Sequence, residues 1–166
     1  MCGRYFLGMH FDFVDRVLEI SAERIVTLKH VSRAEEYLQD HFAEFPVLPG
    51  VFMIECMVQA ARRLMVEGKS GLAGGPSGPS RLVLGSVRAV KYGSFVRPGE
   101  SLRVEVVLNK THENGEIEFK GEGRVLRTWS STPTEPGEDA IAVSGRFTLR
   151  PIRLALAVCD SLGLGG

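Results

Sequence analysis

The strongest periodic pattern in the chain lies between Val51 and Val66. Apolar side chains recur there every three or four residues, as they do along one face of an α-helix; they are Ile54, Met57, Val58, Ala61, Leu64 and Met65. Pro49-Gly50 precedes this run and Gly68 follows it, which suits the start and the end of a helix. Because Glu55 and Gln59 are the only polar side chains in its N-terminal part, the pattern predicts a buried helix over Val51–Val66.

The second half of the chain has the composition and alternation of β-strands. β-Prone apolar runs predict strands over Arg81–Val90, Leu102–Leu108 and Ala140–Arg150, and Ile25–Leu28 predicts an earlier one. Asn114-Gly115 is a hairpin signal, since both residue types tolerate a positive φ. One buried helix followed by a block of antiparallel strands favours a sheet curled around the helix, an α+β arrangement.

Length and charge limit the classes of function. The 166 residues fit one domain, which we expect to span residues 1–150, followed by a C-terminal tail over residues 151–166. Twenty basic and twenty acidic residues cancel, so the bulk charge predicts neither nucleic-acid nor membrane binding. Three cysteines without metal-ligand spacing, and no stretch resembling a signal peptide or membrane span, indicate a cytoplasmic protein without a metal.

Three features could carry chemistry. Glu55 is a carboxylate on an otherwise apolar helix and a candidate acid, although it could equally be a structural partner of Gln59. His41, in the Pro-rich loop before the helix, is a candidate base or an ordinary surface histidine. The N–H groups near Gly50 and Val51 could stabilise a developing oxyanion or simply start the helix. Together these groups suit the elimination of water from a 3-hydroxyacyl thioester, which needs a base, an acid and donors to an enolate-like oxygen.

The same residues form a recognisable pattern. His41-Phe42, then Pro46-Val47-Leu48-Pro49-Gly50-Val51, then Glu55 and Gln59 resemble the motif of FabZ-type 3-hydroxyacyl-[acyl-carrier-protein] dehydratases, roughly HFPGxPxxPGVLxxEAxAQ. Lys91-Tyr92 and Pro98-Gly99-Glu100 are similar to further parts of that family. The resemblance implies a hotdog fold and a dehydratase, a hydro-lyase of fatty acid or related lipid or polyketide biosynthesis that uses no cofactor. It also implies a homodimer that can assemble further into a trimer of dimers.

The resemblance also implies a role for individual residues. His41 of one protomer would act as base on the α-carbon, while Glu55 of the other would assist loss of the hydroxyl. The predicted substrate contacts are Gly50, Val51, Gln59 and Tyr92. The substrate would be a thioester of acyl carrier protein or coenzyme A. Because carrier proteins of this family's pathways are acidic, docking would need a local basic patch, for which the candidates are Arg62, Arg63, Lys91 and Arg97.

Two departures from the family pattern lie beside the candidate catalytic residues. Ala43-Glu44 stands where the family has Pro-Gly, and Cys56 replaces the usual Ala after the Glu. Two alternatives stay open. A hotdog acyl thioesterase would share the helix and sheet, and its carboxylate could activate water. A non-catalytic subunit that binds acyl groups or a carrier protein is suggested by Ala43-Glu44. Release of free thiol distinguishes the first alternative, and binding without turnover distinguishes the second.

Overall fold

A computed structural model describes residues 11–39, 41–42, 44–68, 82–127 and 140–152. The elements are strands β1 (Arg16–Ile20) and β2 (Arg24–His30), a 3-10 turn (Glu36–Leu38), helix α1 (Gly50–Glu67), and strands β3 (Leu82–Tyr92), β4 (Ser101–Thr111), β5 (Ile117–Leu126) and β6 (Ile141–Pro151). Among the described residues no helix is both long and apolar enough to cross a membrane.

Helix α1 confirms the strongest prediction from the sequence and is one residue longer at each end. Pro49 is its N-cap, and the carbonyl of Pro49 accepts the N–H groups of Phe52 and Met53. The helix ends where the N–H of Gly68 donates to the carbonyl of Leu64 at 2.9 Å. Its buried side chains are Met53, Cys56, Met57, Val58, Gln59, Ala60, Ala61, Leu64 and Met65. The residues predicted to be apolar and buried therefore do form the inner face, except Ile54, which is half-buried at its margin.

The strands form one antiparallel sheet in the order β1-β2-β4-β5-β6-β3. Helix α1 packs against β2, β3, β4, β5 and β6, so the sheet wraps around it as the sequence predicts for an α+β arrangement. A glycine permits this close packing, because a Cβ atom at Gly121 of β5 would overlap the Sδ atom of Met57. The core of the protein is thus the interface between α1 and the concave face of the sheet.

The hairpin between β4 and β5 confirms the Asn114-Gly115 signal but not its geometry. Gly115 has φ +81°, whereas Asn114 does not adopt a positive φ. The side-chain Oδ1 of Asn114 instead accepts the N–H of Glu116 at 3.0 Å. The strands are joined by the segment His112–Glu116, in which only the second residue of the Asn-Gly pair uses the positive φ that both residue types tolerate.

The C-terminal boundary is described only in part. Strand β6 runs to Pro151, the first residue of the predicted tail. Residues 153–166, on which the rest of that prediction falls, lie outside the described residues. The division into residues 1–150 and a tail therefore stays a prediction.

Candidate active site

The loop before α1 fixes the ring of His41. The loop is anchored by buried Val47 and Leu48, and the N–H of Leu48 donates to the carbonyl of Val96 at 2.8 Å. The Nδ1 atom of His41 lies 3.0 Å from the carbonyl oxygen of Val47. Since a carbonyl can only accept, Nδ1 carries the hydrogen, and the neutral ring keeps its lone pair on Nε2. A general base requires such an unprotonated nitrogen, so Nε2 is the atom of this ring that can accept a proton.

Phe42 adds local strain beside this histidine. It has φ +65°, in the left-handed region that a residue other than glycine rarely adopts. Its carbonyl accepts the N–H of Phe45 at 2.9 Å, and its ring centroid lies 4.4 Å from that of His41. Strained residues of this kind persist where the surroundings impose them, commonly at functional sites.

Tyr92 and the start of α1 lie together. The N–H groups of Gly50 and Val51 donate to no other described residue, so they remain available at the positive end of the helix dipole. Tyr92, the last residue of β3, places its ring against Gly50, where a Cβ atom would lie only 2.8 Å from Tyr92 Cε1. The absence of a side chain at residue 50 is therefore necessary for this packing. The structure brings three of the four predicted substrate contacts into one place.

Glu55 lies one turn further along the helix and is not an isolated carboxylate. Its side chain is 33% exposed. Its Oε1 atom accepts a hydrogen bond from Gln59 Nε2 at 3.1 Å, as the i, i+4 spacing predicts. Arg62 Nη1 is a second donor to Oε1, at 3.5 Å. Sequence reasoning missed this ion pair, although residues 55 and 62 are two turns apart on one helix face.

Gln59 is the fourth predicted substrate contact, and its amide is committed within the protein. The side chain is buried, and its Oε1 accepts the N–H of Phe13 at 2.8 Å. Its Nε2 donates both to the carbonyl of Phe11 and to Glu55. In this chain the amide therefore joins the N-terminal segment to the candidate acid.

Within the described residues of a single chain, no hydrogen bond or ion pair joins His41 to Glu55. His41 belongs to the loop, and its Nδ1 is held by a backbone carbonyl of that loop. Glu55 belongs to the helix and is held by side chains that follow it on the helix. The two candidate catalytic groups are thus positioned independently of each other.

The four basic docking candidates do not form one cluster. Arg62 faces Glu55, and Arg63 binds Asp12 at 3.3 Å. These two residues lie about 18 Å along the helix from its start, at 1.5 Å per residue. Lys91 is exposed beside Tyr92, and Arg97 stacks over the Phe45 ring at 4.8 Å. Only Lys91 and Arg97 belong to the same end of the helix as Gly50.

An exposed apolar surface surrounds that end of the helix. Its members, which we call the helix-start surface, are Phe42, Phe45, Val51, Tyr92 and Phe95, each at least 40% exposed. Phe45 and Phe95 contact each other edge to face, with ring centroids 5.6 Å apart. Exposed apolar side chains grouped at one end of a helix are typical of a site of ligand or protein binding.

The sequence matches the FabA-like domain family over residues 7–127. It is 38% identical to the 3-hydroxyacyl-[acyl-carrier-protein] dehydratase FabZ of Oenococcus oeni over 107 residues, 61% of this chain and 69% of that one. It is 31% identical to the FabZ of Rickettsia massiliae over 139 residues, 83% of each chain. The match to the FabZ of Solibacter usitatus, at 36% identity, covers 60% of this chain and 59% of that relative's length.

Solved structures resemble this chain in fold. The dehydratase heterocomplex ApeI:P from Xenorhabdus doucetiae superposes with a TM-score of 0.59 at 21% identity, covering 86% of this chain and 84% of that one. A hypothetical thioesterase with coenzyme A from Streptococcus pneumoniae gives a TM-score of 0.56 at 9% identity, covering 82% and 84%. At these identities the likeness establishes the hotdog fold and nothing finer. The extent of the family match and the identity to FabZ proteins go further, and the chain belongs to the FabA-like family, among the FabZ-type dehydratases.

Proposed function

We propose that this protein dehydrates 3-hydroxyacyl thioesters to trans-2-enoyl thioesters in fatty acid or related lipid or polyketide biosynthesis. The observation that carries the proposal is the hydrogen bond from His41 Nδ1 to the carbonyl of Val47, which leaves Nε2 as a base. Membership of the FabZ-type dehydratases supports the same reaction.

The chain's own residues account for each step of this reaction. His41 Nε2 removes the proton from the α-carbon, and the carbonyl oxygen gains negative charge as it does so. The N–H groups of Gly50 and Val51, which donate to no other residue in the described part of the chain, lie at the N-terminus of α1 and stabilise that oxygen. Glu55 assists the loss of the hydroxyl by accepting its hydrogen bond through Oε2, which accepts no hydrogen bond from another described residue. The proton that His41 has taken from the α-carbon passes to the departing hydroxyl. The hydroxyl leaves as water, and hydration of the enoyl thioester runs through the same groups in reverse.

Hydration of an enoyl thioester tests this function. The purified protein is mixed with a trans-2-enoyl thioester, and the loss of the conjugated absorbance is followed together with the release of free thiol. Loss of absorbance without thiol release supports the proposal. Thiol release would indicate the thioesterase alternative, and binding without either change would indicate a non-catalytic subunit.

We also propose that the working unit is a homodimer, with His41 and Glu55 of each site coming from different protomers. Strand β3 supports this arrangement, because it is an edge strand of eleven residues whose outer side pairs with no described strand. Such a long free edge is normally covered. The exposed helix-start surface is a second area that a partner would bury. Further assembly into a trimer of dimers is the form that the resemblance implies.

Mixing two inactive variants tests the shared site. We expect His41→Ala and Glu55→Gln to be inactive alone, and a co-refolded equimolar mixture to recover about a quarter of wild-type activity. Half of the randomly formed dimers are mixed, and each mixed dimer has one intact site out of two. A mixture of two differently tagged His41→Ala chains is the control and stays inactive. Absence of recovery from a mixture that contains mixed dimers would contradict the shared site.

The carrier is proposed to be an acidic acyl carrier protein that docks at Lys91 and Arg97. Both residues adjoin the helix-start surface, where the thioester would enter. Lys91→Glu/Arg97→Glu should raise KM for a carrier-protein substrate about tenfold at low salt, because like charges repel across the contact. KM for an N-acetylcysteamine thioester should not change. Lys120→Glu, on exposed β5 surface, is the control, and an equal effect on both substrates would contradict docking at this site.

The cytoplasm is the proposed compartment. Cys56 is a free, fully buried thiol, and its burial raises its pKa, so it stays protonated and unreactive. A chain with an odd number of cysteines and a buried free thiol suits a reducing environment.

A further inference from the structure

The hydrogen bonds to Glu55 are unevenly distributed between its two oxygens. The donors from Gln59 and from Arg62 both end on Oε1. Oε2 accepts no hydrogen bond from any residue that the structure describes. A carboxylate held twice through one oxygen cannot rotate freely, so the direction of the other oxygen is fixed.

Arg62 is itself held in place. Its Nε atom donates to the carbonyl of Leu82, the first residue of β3, at 3.1 Å. Its side chain is only 22% exposed. The guanidinium thus joins the edge strand to the carboxylate of Glu55. Both of these hydrogen bonds are made within the chain. A residue that docks a carrier protein would instead present its charge to solvent.

We propose that Arg62 is a positioning residue, which holds Glu55 by Oε1 so that Oε2 faces the leaving hydroxyl. The inference rests on the proposed dehydratase function. Under this proposal Arg62 affects the rate of the chemical step and is not a residue that docks the carrier protein. A planar guanidinium suits this role because its fork donates to two acceptors at once, here a carbonyl and a carboxylate.

Steady-state kinetics of Arg62→Met tests the proposal with two substrates, a carrier-protein thioester and an N-acetylcysteamine thioester. We expect kcat to fall roughly 10- to 100-fold on both substrates, the cost of a misplaced catalytic group, with KM nearly unchanged. Arg103→Met is the matched control. Arg103 forms a comparable ion pair with Glu105 at 3.4 Å and is 27% exposed, but it lies on β4 away from the site. Its kcat should remain at the wild-type value.

Chemical rescue separates positioning from a general loss of structure. In Arg62→Ala, added guanidinium ion should restore kcat several-fold, because it occupies the vacated position beside Glu55. Arg62→Lys, which keeps the charge but replaces the planar guanidinium fork with a single nitrogen, should lie between wild type and Arg62→Met. Arg62→Lys also serves if the other variants do not fold, since a wild-type kcat in that variant would overturn the proposal.

Two further results would overturn the inference. One is a rise in KM confined to the carrier-protein substrate with kcat intact, which is the result expected of a docking residue. The other is a folded Arg62→Ala whose reduced kcat does not respond to guanidinium. If the wild-type protein turns over neither substrate, the proposed function itself fails, and that outcome is separate from both.

Discussion

His41→Ala is expected to lower kcat for hydration of an enoyl thioester about 1,000-fold, within the range of roughly 10² to 10⁴ that general acid–base catalysis contributes. The reason is specific to one atom. Nδ1 is committed to the carbonyl of Val47, so Nε2 is the only lone pair that the ring offers to the α-proton. Steady-state assays of the purified variant measure the loss.

The control for this prediction is His30→Ala. His30 is exposed on β2, and its Nδ1 contacts the hydroxyl of Ser101. Its removal should leave kcat unchanged. His41 lies in a loop and is only partly buried, so both variants should keep the wild-type fold by circular dichroism. If folded His41→Ala retains kcat within about threefold of wild type, less than any general base contributes, His41 is not the base.

Lys29→Met is expected to lower the free energy of unfolding by about 3 kcal/mol, the low end of the range for breaking a buried ion pair. Lys29 is 5% exposed on β2, and its Nζ lies 2.9 Å from Glu35 and 3.3 Å from Asp15. The ammonium also lies 5.9 Å from the centre of the Phe13 ring. Removing it leaves two carboxylates without their counter-charge; Asp15, 41% exposed, regains some hydration, which keeps the loss small within that range. Urea unfolding measures the change.

The same residue sets a dependence of stability on pH. Burial alone lowers the pKa of Lys29, but the hydrogen bond to Glu35 and the charges of Asp15 and Glu35 outweigh it, and the pKa is raised above its ordinary value of 10.5. A raised pKa in the folded state gives stability that is complete below the ordinary value of 10.5 and is lost as the pH rises through the folded value. In Lys29→Met, the free energy of unfolding should no longer fall over this alkaline pH range.

Lys120→Met, at an exposed position of β5, is the control for both measurements and should unfold like the wild type. Equal stability of Lys29→Met and Lys120→Met would contradict a stabilising role for the buried ion network. An unchanged alkaline slope in Lys29→Met would show that another group titrates there.

Local sequence patterns predicted the helix and the strands because these elements depend mainly on residues that are close in sequence. The three- and four-residue spacing around Met57 located α1 to within one residue, and Asn114-Gly115 located the hairpin between β4 and β5. Contacts set by tertiary packing were beyond such patterns. Nothing local distinguishes Lys29 as the buried lysine, since Asp15 precedes it by fourteen residues. The left-handed φ of Phe42 is imposed by its loop against residue preference.

In the candidate site, too, the sequence predicted the residues of a local motif but not the contacts that depend on tertiary packing. The motif supplied His41, Gly50 and Glu55 by residue type and spacing. It did not show that Arg62 faces inward, because that orientation depends on the carbonyl of Leu82 at the start of β3. Nor could it show that the side-chain amide of Gln59 forms hydrogen bonds with the backbone of Phe11 and Phe13. The role of a side chain that acts through another side chain can be recognised only from the folded structure, because it depends on tertiary contacts.

The most direct test of the account is mass spectrometry of 3-hydroxyacyl carrier-protein thioesters, of several chain lengths, after incubation with the wild-type protein. A dehydratase is expected to remove the mass of one water from at least one chain length while the acyl group stays on the carrier, and His41→Ala is not expected to produce this loss. Intact substrate at every length, or a carrier freed of its acyl group, would contradict dehydration by this protein.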